Sequence, residues 1–224
     1  MRLYALLVAL MLSGCVETAQ NSSSARKPVY LTDENVRQFK QVVKDVEPVA
    51  ERYCAEQLPR ANCDFLIVVD DRSGQPPNAF QTLDRSGRPI LAFTVSLLAD
   101  VNRDELAFIM SHEAAHHIAQ HIPKQQTSAV VGGILIGGIA AATGAGAPDS
   151  YFDLGASVGG RIYSKEHELE ADSMGAVITH LSGYDPLKGA EFFNRIPDPG
   201  DRFLGTHPPN AERIAAVRRA HSGL

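Results

Sequence analysis

Tryptophan is absent from the 224 residues, and tyrosine and phenylalanine are sparse, at 6 and 9. So few rings argue against a carbohydrate cleft. No cluster of lysine and arginine occurs, and the net charge is −5. That balance excludes nucleic acid as an expected partner and offers no surface to anionic lipid. No apolar run is long enough for a transmembrane helix: the run Ala129–Ala142 has 14 residues, against about 20 needed to cross a bilayer. There are 3 cysteines, and Cys54 and Cys63 fit no zinc-knuckle spacing. There is no internal repeat. What is present is 44% hydrophobic residues, enough for one real core.

The N-terminus reads as a targeting segment. Arg2 precedes the apolar stretch Leu3–Leu12, which ends in Leu12-Ser13-Gly14-Cys15. This resembles the lipobox of bacterial lipoproteins, in which cleavage precedes the cysteine and that cysteine carries lipid. The alternative is a plain cleaved signal. Val16, rather than aspartate, follows the cysteine, which resembles the outer-membrane sorting pattern of Gram-negative bacteria. The expected division is a signal over 1–14, a lipidated Cys15 with a tether over 15–30, and one domain over 31–224. In an exported chain the close pair Cys54 and Cys63 suggests a disulfide tying the end of a helix to the start of a strand, with two buried thiols as the alternative.

Thr32 reads as an N-cap, with Asp33 and Glu34 in the first turn and Val36, Phe39, Val43 and Val46 at helical spacing. Pro48 is a candidate kink in this helix, which otherwise runs to about Glu56. Phe65–Val69 reads as a buried strand, and Asn78–Leu83 with Pro89–Thr94 as a β-hairpin around Asp84-Arg85-Ser86-Gly87. A helix is expected from Asn102 or Asp104 to about His121, with Leu106, Met110, Ala114 and Ile118 facing the core. Another starts at Ser164 and stops at Gly183, and a last one begins near Pro208–Asn210. The glycine-rich run Ala129–Ala142 reads as a buried or lid-like hairpin, with a membrane-touching segment and, last, a true span as the alternatives.

The chemistry lies in His112-Glu113-Ala114-Ala115-His116. Residues i and i+4 share a helix face, so both imidazoles can reach one metal ion, and the glutamate beside them suits a general base. A catalytic zinc needs a third protein ligand. A histidine ten residues after the first would complete one known pattern, but that position is Ile122 and His121 is one short. The other source is an acid on the next helix. Glu168 and Asp172 are four apart and face the same way; one can bind metal while the other fixes a ligand imidazole. Glu166 and Glu170 lie on different faces. His117 and His121 are also four apart and read as polar-face residues, a second metal pair being the alternative. His167, His180 and His221 carry no partner pattern.

Together these stretches resemble the zinc peptidase family that includes HtpX, the CAAX prenyl endopeptidase and the mitochondrial Oma protease. The likeness rests on His112-Glu113-x-x-His116, on Ser164-x-x-x-Glu168-x-x-Ala171-Asp172, on Thr206-His207-Pro208 with Arg213-Ile214, and on Asn78-Ala79-Phe80. It implies an α+β, mainly helical, zincin-like (gluzincin) single domain with a small β-sheet beside the motif helix. It further implies one Zn2+ held by His112, His116 and Glu168, with Glu113 as base. His207 is expected to stabilise the oxyanion or gate the open metal position, and Asp172 and Arg213 to support the ligands. Asn78, Ala79 and Phe80 are expected to bind substrate as an added strand. Position 165 is lysine where the family commonly has arginine, and the transmembrane helices of many members are missing. That architecture looks most like the periplasmic lipoprotein branch, the LoiP/YcaL type.

The expected function is therefore a zinc-dependent endopeptidase at the periplasmic face of the outer membrane, anchored through lipid on Cys15. Its expected substrates are misfolded or unassembled envelope proteins, with the outer-membrane assembly machinery as a partner. The main alternative is a chaperone or assembly factor on a peptidase fold; a zinc hydrolase of non-peptide bonds is the lesser one. The His207 loop or residues 129–147 are candidate covers for the metal at rest.

Overall fold

The computed structural model of the protein describes residues 28–124, 163–198 and 208–224. Cys15, the residues before 28, the apolar run within 129–147 and the Thr206–His207 pair lie outside the described residues.

The first helix, α1, spans Asp33–Gln57. Thr32 accepts a hydrogen bond from the backbone N–H of Asn35, and the Asn35 side chain accepts one from the Thr32 N–H, satisfying two orphan donors reciprocally. Pro48 sits inside α1 without ending it. Val42, Val46, Val49, Ala50 and Cys54 form its buried stripe. A disulfide joins Cys54, near the end of α1, to Cys63, just ahead of the first strand; the Cα atoms are 5.8 Å apart.

Three strands follow: β1 (Leu66–Asp70), β2 (Ala79–Leu83) and β3 (Pro89–Thr94). β2 and β3 form the expected antiparallel hairpin. Asp84 Oδ1 accepts from the backbone N–H groups of Ser86 and Arg88, and Gly87 takes the left-handed conformation the turn needs (φ 84°). β1 pairs in parallel with β3, giving the order β1-β3-β2. β3 is central and buried at every residue, which is why its sequence is apolar without alternation. β1 is only half-buried, apart from Asp70, and the buried Phe65 lies just before it.

A short helix α2 (Val95–Leu98), not anticipated from the sequence, leads into α3 (Arg103–Ile118). Asn102 and Glu105 form a reciprocal cap on α3. Leu106, Met110, Ala114 and Ile118 are buried as expected, but so is nearly every other residue of α3. The helix is enclosed by α1, the sheet, and the next two helices of the chain, and a helix enclosed on all sides shows no single apolar stripe. α3 also ends earlier than its pattern suggests. Ala119 caps it, and Gln120 turns into the left-handed region (φ 55°).

Capped by Ser164, α4 (Lys165–Leu181) leads through Gly183 to α5 (Pro186–Gly189) and a 3-10 turn (Ala190–Asn194). The last helix, α6, spans Asn210–His221 and packs on α4. The main core lies between α1, β3 and α3 and reaches Ile178 of α4; a smaller cluster around Phe108, Phe193 and Val217 seats α6. The mainly helical α+β architecture with a small sheet beside the motif helix is thus present. Among the described residues, no helix is long and apolar enough to cross a membrane.

Candidate metal centre

The i,i+4 spacing on α3 brings His112 Nε2 within 3.0 Å of His116 Nε2. Both rings are buried on the floor of a cleft of about 360 Å3. α4 crosses α3 directly over this point, and Gly175 permits the approach. A Cβ at Gly175 would lie 3.0 Å from the backbone N and Cα of His112, tighter than side chains normally tolerate.

That crossing gives the two carboxylates of α4 different places. Glu168 faces both imidazoles: Oε2 lies 3.7 Å from His112 Nε2, and Oε1 lies 3.6 Å from His116 Nε2. Asp172, one turn on, reaches the far side of the first ring, with Oδ1 3.0 Å from His112 Nδ1. His112, His116 and Glu168 each offer a ligand atom within 4.8 Å of the others. Ligand atoms roughly 2.0–2.1 Å from a tetrahedral zinc are about 3.4 Å apart, so separations of 3.0–3.7 Å fit such an ion. Two imidazoles and a carboxylate are also the donor chemistry of a catalytic zinc with one open position.

Arg213 of α6 completes the cluster. Its Nε and Nη2 both lie 2.7 Å from Asp172 oxygens, and Nη2 lies 3.3 Å from Glu168 Oε2. The guanidinium carbon sits 4.1 Å over the Phe193 ring. Burial disfavours the charge on Arg213, but Asp172 and Glu168 outweigh it and hold its pKa above the usual value. Burial likewise pulls His112 down, yet the Asp172 hydrogen bond and charge prevail, and its pKa is raised. Among the described residues no carboxylate lies at hydrogen-bond distance from His116; burial and the neighbouring His112 push its pKa well below the ordinary value.

Glu113 lies beside the ligands in the cleft, and burial raises its carboxyl to about 7. The backbone N–H of Gln81 on β2 donates to it and works weakly in the opposite direction. This fits the register of the sheet. Thr94 N–H donates to Asn78 O at 3.0 Å, so alternate β2 residues (Asn78, Phe80, Thr82) pair with β3. Ala79 and Gln81 therefore turn their backbone groups to the free edge. Among the described residues β2 has no second neighbour in the sheet, and Asn78–Gln81 line the cleft. Of the three residues expected to bind substrate as a strand, Ala79 presents its backbone outward, whereas Asn78 and Phe80 do not.

The structure brings together His112, Glu113, His116, Glu168, Asp172 and Arg213, all anticipated from sequence. His207 and Cys15 lie outside the described residues. One expectation is corrected. His121 is not a polar-face residue: it is fully buried, with Nδ1 2.8 Å from His116 Nδ1. The reversal at Gln120 carries it back towards the centre, whereas i+5 on a continuing helix would point away. Its spacing partner His117 binds the Asn62 carbonyl instead, at 2.8 Å, so the two do not form a pair. Tyr163, unremarked in the sequence, stacks on His116 with centroids 4.0 Å apart. No local signal marked Tyr163 or Gly175, because both act through a distant segment.

Residues 37–221 match the profile of peptidase family M48. The beta-barrel assembly-enhancing protease of Escherichia coli (strain K12) is 30% identical over 176 residues, covering 69% of this chain and 33% of that protein. A protease HtpX homolog of Limosilactobacillus fermentum is 30% identical over 109 residues, 49% of this chain and 32% of that protein. The mitochondrial metalloendopeptidase OMA1 of Saccharomyces cerevisiae is 26% identical over 164 residues, 66% of this chain and 44% of that protein. The chain thus spans about a third of the length of the first of these relatives. The mainly helical fold with its three-stranded sheet is consistent with the zincin-like fold of that family.

Proposed function

The chain belongs to peptidase family M48; on that premise we propose that it is a zinc-dependent endopeptidase of the bacterial cell envelope. The observation that carries this reading is the convergence of His112, His116 and Glu168 in a cleft that also holds Glu113 and the free edge of β2. His112, His116 and Glu168 would hold one Zn2+, which would supply Lewis-acid chemistry to a scissile carbonyl and to water. Glu113, beside the ligands in the cleft, takes the proton of the attacking water and delivers it to the leaving amide nitrogen. Asp172 holds the His112 ring through Nδ1, and Arg213 holds Asp172 and Glu168 in place. His207 is assigned to the oxyanion or to gating of the open metal position, on the family likeness.

An extended polypeptide adds to the edge of β2, using the backbone of Ala79. Recognition through backbone groups selects weakly for sequence and suits unfolded chains. This agrees with misfolded or unassembled envelope proteins as substrates. The lipobox ending at Cys15 supports a lipid anchor at the periplasmic face of the outer membrane. The printed name of one relative, a beta-barrel assembly-enhancing protease, supports a link to outer-membrane assembly.

The test is casein digestion by the purified mature protein beside Glu113→Gln, with zinc measured in both. The expected result is zinc in both and cleavage by wild type alone. Zinc in both with no cleavage by either would move the assignment to a gated enzyme or to the chaperone reading.

A further inference from the structure

His116 and His112 are held differently. His112 meets a carboxylate directly, at 3.0 Å from Asp172. His116 instead meets a second ring: its Nδ1 lies 2.8 Å from His121 Nδ1, and His121 Nε2 lies 3.1 Å from Glu170 Oε2. His121 is fully buried and stacks on His167, with centroids 4.3 Å apart and planes within 15°. The far end of the chain, Glu170, is half-exposed and stands 3.8 Å from Lys124 Nζ.

Proton bookkeeping gives this chain one direction. His116 Nε2 faces Glu168 and His112, so as a ligand it presents its lone pair there and carries its proton on Nδ1. Among the described residues that N–H meets His121 Nδ1, which is then the acceptor nitrogen. The single proton of His121 sits on Nε2 and donates to the Glu170 carboxylate. Each ring is neutral and each nitrogen is satisfied.

We propose that His121 and Glu170 are positioning residues for metal binding, a histidine–carboxylate relay that fixes the tautomer and orientation of His116 as Asp172 does for His112. The proposal rests on the metal-centre reading. It does not make His121 a ligand, because Nδ1 faces the side of His116 opposite Glu168. Gln120 matters as the turn that delivers the ring, and His167 as the surface that holds it flat.

Zinc dissociation constants by chelator competition test this on the full chain. His121→Phe keeps a ring and removes the acceptor; the affinity is expected to fall about 10- to 100-fold. His121→Asn places a carbonyl oxygen close to the position of Nδ1 and is expected to recover most of that loss. Glu170→Gln, at a half-exposed site that tolerates change, is expected to weaken binding several-fold. His117→Gln, a neighbour outside the relay, is expected to leave the affinity unchanged. The absorption spectrum of the Co2+-substituted protein is expected to change in His121→Phe and return in His121→Asn, which a purely structural role would not produce. Tight zinc binding by wild type with His121→Phe and Glu170→Gln within twofold of it overturns the relay. Should His121→Phe not fold, His121→Asn and Glu170→Gln decide. Absence of stoichiometric zinc in wild type instead overturns the metal-centre reading, and the relay with it.

Discussion

Replacing Arg213 by methionine isolates the electrostatics of the centre. Arg213 is the arginine set against both Asp172 and Glu168: two 2.7 Å contacts to Asp172 and one at 3.3 Å to Glu168. Asp172 is fully buried, and Glu168 is 3% exposed. Methionine keeps the apolar stem against Phe193 and removes the charge. In the metal-free protein two buried carboxylates then lose their guanidinium partner, and the His112 imidazole is the group left against both. Breaking a buried pair in this way costs about 3–5 kcal/mol. For a chain of this size each kcal/mol moves Tm by about 2–4 °C, so the expected fall is roughly 6–20 °C. Removing both partners, as in Asp172→Leu with Arg213→Met, leaves less uncompensated charge. The double variant is expected to be at least about 2 kcal/mol more stable than the sum of the single changes predicts. The assay is urea denaturation and thermal melting in excess chelator, so that no bound cation substitutes for the arginine. A loss below about 1 kcal/mol for Arg213→Met, or strict additivity of the pair, would refute the reasoning.

Glu113 gives a pH signature. Its carboxyl titrates at about 7 in the folded protein against a reference of 4.5. Between those values the unfolded chain has already lost a proton that the folded protein keeps, so rising pH favours unfolding. Relative to Glu113→Gln, metal-free wild type is expected to lose about 3 kcal/mol between pH 4 and 8; equal slopes in denaturation series would remove the buried-acid account. Gly175→Ala forces a Cβ against the His112 backbone at 3.0 Å, and is expected to cost about 1–3 kcal/mol and weaken zinc binding, read by melting and chelator competition. Ala79→Pro deletes an outward N–H at the β2 edge without touching the β3 ladder, so peptide KM is expected to rise while zinc content stays constant. Replacing Cys54 and Cys63 by serine opens a short loop, with sequence separation 9, and is expected to cost about 2–3 kcal/mol in chemical denaturation.

The sequence by itself determined whatever depends on a few neighbouring residues. Thr32 with Asn35, Asn102 with Glu105, and Ser164 cap their helices through contacts three residues long. Asp84 to Gly87 form their turn in the same way. The i,i+4 spacing of His112 and His116 set two imidazoles side by side before any packing was known. Even Glu168 and Asp172 were legible as a pair, because helix periodicity places them on one face. Which of them meets both imidazoles was decided by how α4 crosses α3, and that crossing depends on Gly175, sixty-three positions from His112. Arg213 reaches Asp172 only because α6 docks on the Phe108–Phe193–Val217 cluster. β1 joins β3 in parallel, a pairing that no local pattern specifies. Helical periodicity puts His121 on the polar face, but the left-handed residue Gln120 reverses the chain and buries it. Short-range rules fix the geometry of each segment. The relative placement of segments comes from burial, summed over residues far apart in the chain, and the contacts that tune the centre exist only once that sum has been made.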